Sequence, residues 1–229
     1  MEQRKIGLTG NQLKLIAMLA MTLDHVGRQL FPQFGVFVIL GRLAFPIFAY
    51  MIAEGCAHTR HRGRYLGMVF GLGVVCQAVY YFAYGSLYQN ILITFTLSIA
   101  TIFAIDRFRR KMRFFRGLVM TVTLAMVVFL AVVLPRRTGN EFWIDYGVFG
   151  VFLPVVIYFM PKKWAKLLGA AVMMAGVAWM LGGVQWYSML ALPLLALYNG
   201  QRGRRKLKYL FYIFYPVHLV IIYLISLII

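Results

Sequence analysis

Long apolar runs and short basic segments alternate along the whole chain. A membrane-spanning helix needs about 20 residues at a rise of 1.5 Å each, and most of the runs approach that length. The pattern predicts about nine spans, over residues 11–31, 35–55, 64–84, 90–105, 114–134, 146–160, 164–181, 185–198 and 208–228. Several are shorter than a full span, so we expect some to be re-entrant or covered by neighbouring helices. The sequence therefore predicts an all-α polytopic membrane protein.

Composition favours one membrane domain over residues 1–229. Hydrophobic residues make up 62% of the chain, mean hydropathy is +0.78, and only six residues are acidic. A soluble domain is nearer 45–50% apolar and about 25% charged. Because the apolar runs fill nearly the whole sequence, no separate soluble domain is expected.

The basic residues indicate orientation rather than nucleic-acid binding. The net charge is +18, but most of the 24 basic residues fall in short segments between apolar runs, at residues 4–14, 60–64, 107–116, 162–166 and 202–208. With nine spans these segments share one face, which the positive-inside rule places in the cytoplasm. We expect a cytoplasmic N-terminus, an extracytoplasmic C-terminus and basic segments that contact anionic lipids.

The first predicted span contains three polar residues, Asp24, His25 and Arg28. A charged side chain near the bilayer centre costs on the order of 3 kcal/mol or more, so such a cluster is a functional-site hypothesis. Asp24 and His25 project about 100° apart on a helix, so Asp24 is better placed to neutralise Arg28 or Arg42 than to orient His25. The structural alternative is a salt bridge between the first two helices.

The second and last predicted spans add Arg42 and His218. Helix rise places Asp24, His25 and Arg42 at similar depth, because the second helix runs back across the membrane. Pro46 leaves the carbonyl of Arg42 without its helical donor, which predicts a kink and a cavity at this level. His218 lies near mid-span in a tyrosine-rich helix, where a structural hydrogen bond between helices is the alternative role.

At the cytoplasmic end of the second span lie Glu54, His58, Arg60 and His61. Glu54 and His58 are one turn apart and can share a helix face. His61 is interpreted as a solvated loop residue. Glu54 is one of few acids in the chain and could simply pair with His58 or Arg60 at the interface.

Neutral imidazole can act as a general base, and a buried guanidinium can stabilise an oxyanion. The sequence shows no serine nucleophile motif, no zinc-type histidine spacing and no glycine-rich phosphate loop, so no metal site is expected. From the residues alone, acyl transfer and proton-coupled transport of a small anionic solute both stay open.

Several segments resemble the TraX family: LKLIAMLAMTLDHVGRQLFP, GRLAFPIFAYMIAEG, AHTRHRGRY, NILITFTL and FYPVHL. A member of that family is implicated in N-terminal acetylation of a conjugative pilin, and the chain is also similar to wider transmembrane acyltransferases. The resemblance implies an acetyltransferase of the bacterial cytoplasmic membrane that uses acetyl-CoA. It implies His25 as general base, Asp24 and Arg42 as site-shaping residues, and Glu54, His58, Arg60 and His218 as residues that hold the acyl donor.

The acceptor stays open among a peptide amine, a glycan hydroxyl and a lipid. Two further hypotheses compete with the enzyme. One is the proton-coupled transporter, against which the absence of an inverted repeat counts. The other is a non-enzymatic membrane assembly factor in which the polar residues only pack helices.

Overall fold

The computed structural model describes residues 6–108, 113–137, 142–203 and 207–228, and the chain divides into two compact units. The first unit comprises Met1–Met51 and Lys163–Ile229, and the second comprises Ile52–Lys162. Residues 109–112 and 204–206, which belong to two of the basic segments, lie outside the described residues. The prediction of a single membrane domain stays a prediction.

Helices form nearly all of the described chain. In chain order they are α1 (Gly10–Gln29), α2 (Gly35–Gly41), α3 (Ala44–His58), α4 (Arg62–Tyr84), α5 (Ile91–Phe108), α6 (Arg113–Val128), α7 (Leu134–Arg137), α8 (Gly147–Phe159), α9 (Lys163–Leu181), α10 (Ala191–Ala196) and α11 (Lys208–Ser226). A π-helical segment, Phe129–Val133, joins α6 to α7, and a 3₁₀ helix, Gly183–Leu190, precedes α10. The two-residue strands β1 (Tyr88–Gln89) and β2 (Trp143–Ile144) pair in parallel.

Five helical segments in the described residues are long and apolar enough to cross a membrane: Gly35–His58, Arg62–Ala83, Ile91–Phe108, Lys163–Leu181 and Tyr209–Ser226. A shorter apolar helix covers Gly147–Phe159. These segments support an all-α membrane protein. The count of nine spans and the orientation of the termini stay predictions.

The start of α1 is fixed by the segment that precedes α11. Thr9 and Gln12 form a capping box at the first turn, which satisfies two backbone donors of α1. Leu8 forms a parallel bridge with Tyr198, and the amides of Gly10 and Asn11 donate to the carbonyls of Gln201 and Arg202 at 2.8 and 3.0 Å. The first helix therefore begins at a position set by the far end of the chain.

Glycine allows α1 and α2 to approach closely. A Cβ on Gly27 would lie 2.7 Å from Cβ of Phe37, and a Cβ on Gly41 would lie 2.7 Å from Oδ1 of Asp24. Both distances are shorter than real side chains tolerate, so only glycine fits at these contacts.

The predicted kink in the second span is a break between two helices. α2 ends at Gly41, and α3 begins at Ala44, two residues before Pro46. The proline ring clashes with the carbonyl four residues earlier, that of Arg42, so one regular helix cannot continue through both positions. Arg42 therefore lies at the junction of two helices rather than inside one.

The predicted span over residues 185–198 is not one α-helix. Gly182 and Gly183 have φ of 69° and 51°, a left-handed conformation that ends α9 and suits glycine. The eight-residue 3₁₀ helix and the six-residue α10 follow. Neither is long enough to cross a bilayer by itself.

In the second unit, α5 packs against α4, α6 and α8, and buried polar side chains link the helices. Asn90 caps α5 through the amide of Leu92 at 3.0 Å, and its side-chain nitrogen donates to the carbonyl of Gly73 at 2.9 Å. The buried hydroxyl of Ser98 donates to the carbonyl of Val151 at 2.7 Å. Polar side chains thus join α5 to both α4 and α8.

Candidate functional site

The first unit contains a buried ion pair between α1 and the α2–α3 junction. The guanidinium of Arg42 bonds Oδ1 of Asp24, and Nε of Arg28 lies 3.1 Å from the other carboxylate oxygen. The side chains of Asp24 and Arg42 are 15% and 7% exposed, whereas that of Arg28 is 53% exposed. Asp24 therefore pairs with both of the arginines predicted as its partners, and the pair with Arg42 is the more buried of the two.

A neutral residue from the 3₁₀ helix also contacts Arg42. Nη1 of Arg42 donates to Oε1 of Gln185 at 3.1 Å, and Nε donates to the carbonyl of Val38 at 3.3 Å. Gln185 is 3% exposed, and Ser188, one 3₁₀ turn later, is fully buried. Neither Gln185 nor Ser188 was predicted from the sequence as a site residue. The signal available was a polar residue, Gln185, two positions after a Gly-Gly pair within an apolar run.

The two histidine rings predicted for the membrane interior meet in the first unit. Nδ1 of His25 lies 3.3 Å from Nε2 of His218, and the ring centroids are 5.1 Å apart in an edge-on arrangement. The ring of His218 stacks on Phe214 at 4.6 Å and meets Tyr215 edge-on at 5.5 Å. Helices α1 and α11 thus bring together two imidazoles from opposite ends of the sequence.

Backbone contacts assign the tautomers of both rings. Nδ1 of His25 lies 2.9 Å from the carbonyl of Met21, and Nδ1 of His218 lies 2.9 Å from the carbonyl of Phe214. A carbonyl oxygen only accepts, so each Nδ1 bears the proton and each Nε2 has a lone pair in the neutral ring. His25 shares its Nδ1 proton between Met21 and His218. No described residue hydrogen-bonds Nε2 of His25, so that atom can act as a base.

The cluster combines a base with fixed positive charge. His25 lies within electrostatic range of Asp24, Arg28 and Arg42. An imidazole lone pair can remove a proton from an attacking group, and a buried guanidinium can stabilise the negative charge that develops. Alternatively, adjacent imidazoles and a carboxylate can pass protons.

The other predicted residues, Glu54, His58 and Arg60, belong to the second unit. Nδ1 of His58 donates to the carbonyl of Glu54 at 2.8 Å and lies 3.9 Å from its carboxylate. Arg60 lies in the linker between α3 and α4, and its side chain is exposed, as is that of His58. The expected pairing of Glu54 with His58 is therefore present, and a role in holding the acyl donor stays a prediction.

Two polar contacts in the second unit were not anticipated. Arg62 forms an ion pair with Asp106 and lies 5.2 Å from the ring centroid of Phe103, which ties the start of α4 to α5. The hydroxyl of Tyr88 donates to Asp145 at 2.7 Å. Burial, together with the nearby carboxylate of Asp145, raises the pKa of Tyr88.

Comparison with known proteins identifies the family. The profile of the TraX protein family matches residues 9–226. A probable fimbrial assembly protein, FimC of serogroup H1, from Dichelobacter nodosus is 33% identical over 81 residues, which are 34% of this chain and 33% of that protein. An uncharacterised protein of Rickettsia prowazekii (strain Madrid E) is 45% identical over 38 residues, 17% of this chain and 15% of that protein. The matches thus cover a third or less of these relatives, and no solved structure matches.

Proposed function

The chain belongs to the TraX protein family, and on that premise we propose that it is an acetyltransferase of the bacterial cytoplasmic membrane. It would move an acetyl group from cytoplasmic acetyl-CoA to an amine or hydroxyl at the membrane or its outer face. The observation that carries the proposal is the ring of His25. Met21 and His218 orient it so that Nε2 is available, beside the buried pair of Asp24 and Arg42.

The proposed reaction has two steps. The acceptor nitrogen or oxygen attacks the thioester carbonyl carbon and loses its proton to Nε2 of His25, while the carbonyl oxygen takes the negative charge. The carbonyl then re-forms, the carbon–sulfur bond breaks, and the CoA thiolate leaves and takes the proton from the imidazolium. His25 is thus returned to its starting tautomer.

In the proposed mechanism, the residues around His25 position its ring and supply a fixed positive charge. Asp24 and Gln185 hold the guanidinium of Arg42 from two sides. Its positive charge is therefore already in place and need not reorient during the reaction. His218 accepts from Nδ1 of His25, so it stabilises the imidazolium that forms when Nε2 is protonated. This contact supports a positioning role for His218 beyond the donor-binding role that the resemblance implied.

The exposed basic residues of the second unit are proposed to bind the acyl donor. CoA carries several phosphate charges, and guanidinium groups bind phosphate strongly through charge-assisted hydrogen bonds. We expect Arg60→Ala and His58→Ala to raise the KM for acetyl-CoA with little change in kcat. A lowered kcat at unchanged KM would argue against this assignment.

The acceptor that the comparisons favour is a peptide amine. One similar protein is named as a probable fimbrial assembly protein, and the resemblance to the pilin-acetylating member of the family points the same way. A fimbrial or pilin subunit in the membrane presents an N-terminal amine, which becomes an amide on acetylation. A sugar hydroxyl and a lipid are the alternative acceptors for the assay.

The direct test is transfer from radiolabelled acetyl-CoA by the purified protein in nanodiscs to peptides, glycans and lipids. His25→Ala should abolish transfer, whereas His61→Ala, a matched change of an exposed histidine, should not. Both variants should elute as folded protein from a sizing column. Full transfer by His25→Ala would remove that residue from the mechanism, and no transfer by the wild type to any acceptor class would refute the enzyme.

A proton-coupled transporter of a small anionic solute is the second candidate. The contact between the His25 and His218 rings favours it, because neighbouring imidazoles can relay protons within a membrane. Proton-driven uptake of an anion by proteoliposomes without acyl-CoA would support the transporter. Acetyl transfer without any such uptake would exclude it.

A further inference from the structure

The 3₁₀ helix presents two buried hydrogen-bond donors that have no acceptor in the described part of the chain. They are the side-chain nitrogen of Gln185 and the hydroxyl of Ser188. Gln185 is 3% exposed and Ser188 is fully buried, so bulk water does not satisfy either group. The amide oxygen of Gln185 is already used by Arg42 at 3.1 Å, which points the unpaired nitrogen of the same amide away from that contact but keeps it close by.

Helix geometry places the two donors on one face. A 3₁₀ helix has three residues per turn, so side chains at i and i+3 lie directly above one another. Gln185 and Ser188 have that spacing. An α-helix would separate them by about 60° around its axis. This 3₁₀ helix, unusually long at eight residues, therefore aligns two buried polar groups on one face.

Leaving these donors unpaired is costly. A buried donor without an acceptor costs about 1–3 kcal/mol, and native proteins rarely retain such groups without a reason. Two occur together here, next to a buried guanidinium. An oxygen atom would satisfy both donors, and the positive charge of Arg42 favours one that carries negative charge.

We infer that Gln185 and Ser188 are catalytic residues that donate to the thioester oxygen as it becomes an oxyanion. The inference deepens the proposed function and rests on it. When the acceptor attacks the carbonyl carbon, the electron pair of the carbonyl bond moves to this oxygen. The charge is stabilised by the amide hydrogen of Gln185, the hydroxyl hydrogen of Ser188 and the adjacent charge of Arg42. It returns to the carbonyl bond when the thiolate leaves.

Ser188→Ala separates this role from a structural one, with Ser98→Ala as the matched control. Both serines are fully buried, but the hydroxyl of Ser98 donates to the carbonyls of Val151 and Thr94, whereas that of Ser188 has no partner among the described residues. In the free protein, Ser188→Ala should leave the thermal midpoint unchanged or raise it, because an unpaired hydroxyl is removed. Ser98→Ala should lower the midpoint and leave kcat unchanged.

For transfer from acetyl-CoA to a synthetic peptide with a free N-terminal amine, Ser188→Ala should lower kcat about 100-fold, as loss of one oxyanion donor does elsewhere. KM for acetyl-CoA should stay within about twofold, because the contact strengthens mainly in the transition state. Gln185→Glu retains an oxygen for Arg42 but replaces the donor with a negative charge, so it should fold and lose kcat at least as severely.

The outcomes distinguish this inference from the function on which it rests. A wild-type protein that transfers acetyl while Ser188→Ala and Gln185→Glu keep normal kcat overturns the inference alone. A midpoint for Ser188→Ala that falls as far as that for Ser98→Ala also overturns it, since it reveals a structural hydrogen bond. A wild-type protein that transfers no acetyl overturns both.

Discussion

The ion pair between Asp24 and Arg42 predicts an asymmetric response to removal of its two members. In Asp24→Asn, the guanidinium of Arg42 keeps the neutral oxygens of Gln185 and Val38 but loses its buried anion. An uncompensated buried charge costs about 3–5 kcal/mol. In Arg42→Met, Asp24 retains Arg28 at 3.1 Å, so its charge is still paired.

The exposure of Arg28 determines how much stability each variant should lose. Arg28 is half exposed, so its remaining pair with Asp24 contributes at most about 1 kcal/mol. We therefore expect Arg42→Met to cost about 1 kcal/mol less than Asp24→Asn. The double variant should be more stable than Asp24→Asn alone, because it buries no unpaired charge. Arg28→Gln, the exposed control, should cost under about 1 kcal/mol.

The assay is thermal unfolding in detergent micelles, followed by tryptophan fluorescence. Three of the four tryptophans, Trp164, Trp179 and Trp186, lie in the first unit, as the ion pair does. A chain of this size shifts by roughly 2–4 °C per kcal/mol, so Asp24→Asn should lower the midpoint by roughly 6–20 °C. Equal losses for Asp24→Asn and Arg42→Met, or a double variant worse than both, would refute the reasoning.

Four further predictions address other contacts. Gly41→Ala should lower the thermal midpoint by the equivalent of about 1–3 kcal/mol through overpacking, whereas Gly35→Ala, whose Cβ meets open space, should stay within about 0.5 kcal/mol; equal effects would contradict the close approach. Asn90→Ala removes a helix cap that contributes about 1 kcal/mol of stability. A thiol dye should therefore label the two buried cysteines, Cys56 and Cys76, at a lower temperature than in the wild type. An unchanged labelling temperature would argue against the cap. His218→Gln should lower the kcat of acetyl transfer about tenfold, because a tenfold change in rate corresponds to the energy of about one hydrogen bond. An unaltered kcat would show that the contact between His218 and His25 contributes only to packing. Above about pH 10, the phenol of Tyr88 ionises in the unfolded chain but stays protonated in the folded protein, where its pKa is raised. The free energy of unfolding should therefore fall with rising pH, and it should fall less steeply in Tyr88→Phe. Identical slopes of unfolding free energy against pH in the two proteins would contradict this.

Hydropathy and charge predicted the parts of the structure that depend on local sequence. The apolar runs mark the long helices, and the family follows from segments that the profile also matches. The partner of Asp24 was predictable because acids are scarce and helix rise places Arg42 at the same depth. The break before Pro46 was predicted only as a kink, because the sequence alone did not indicate that one helix would end at Gly41 and the next begin at Ala44.

Contacts between distant segments could not be predicted in this way. Gln185 reaches Arg42 across 143 residues of sequence, and its 3₁₀ helix depends on two left-handed glycines that hydropathy does not reveal. His25 and His218 were both identified, but their direct contact depends on how α11 packs on α1. The sequence around a neutral polar side chain in an apolar run does not indicate which residue it will contact.

The two contacts of the cluster, Asp24 with Arg42 and His25 with His218, can form at different times during synthesis. Arg42 follows Asp24 by 18 residues, so at about 5–20 residues per second it emerges roughly 1–4 s later. His218 follows His25 by 193 residues, a delay of roughly 10–40 s. The charge pair can thus form early and neutralise α1, whereas the imidazole contact forms only after α11 has been synthesised. A nascent chain that lacks α11 would thus contain the paired charges, but its His25 would lack the contact with His218.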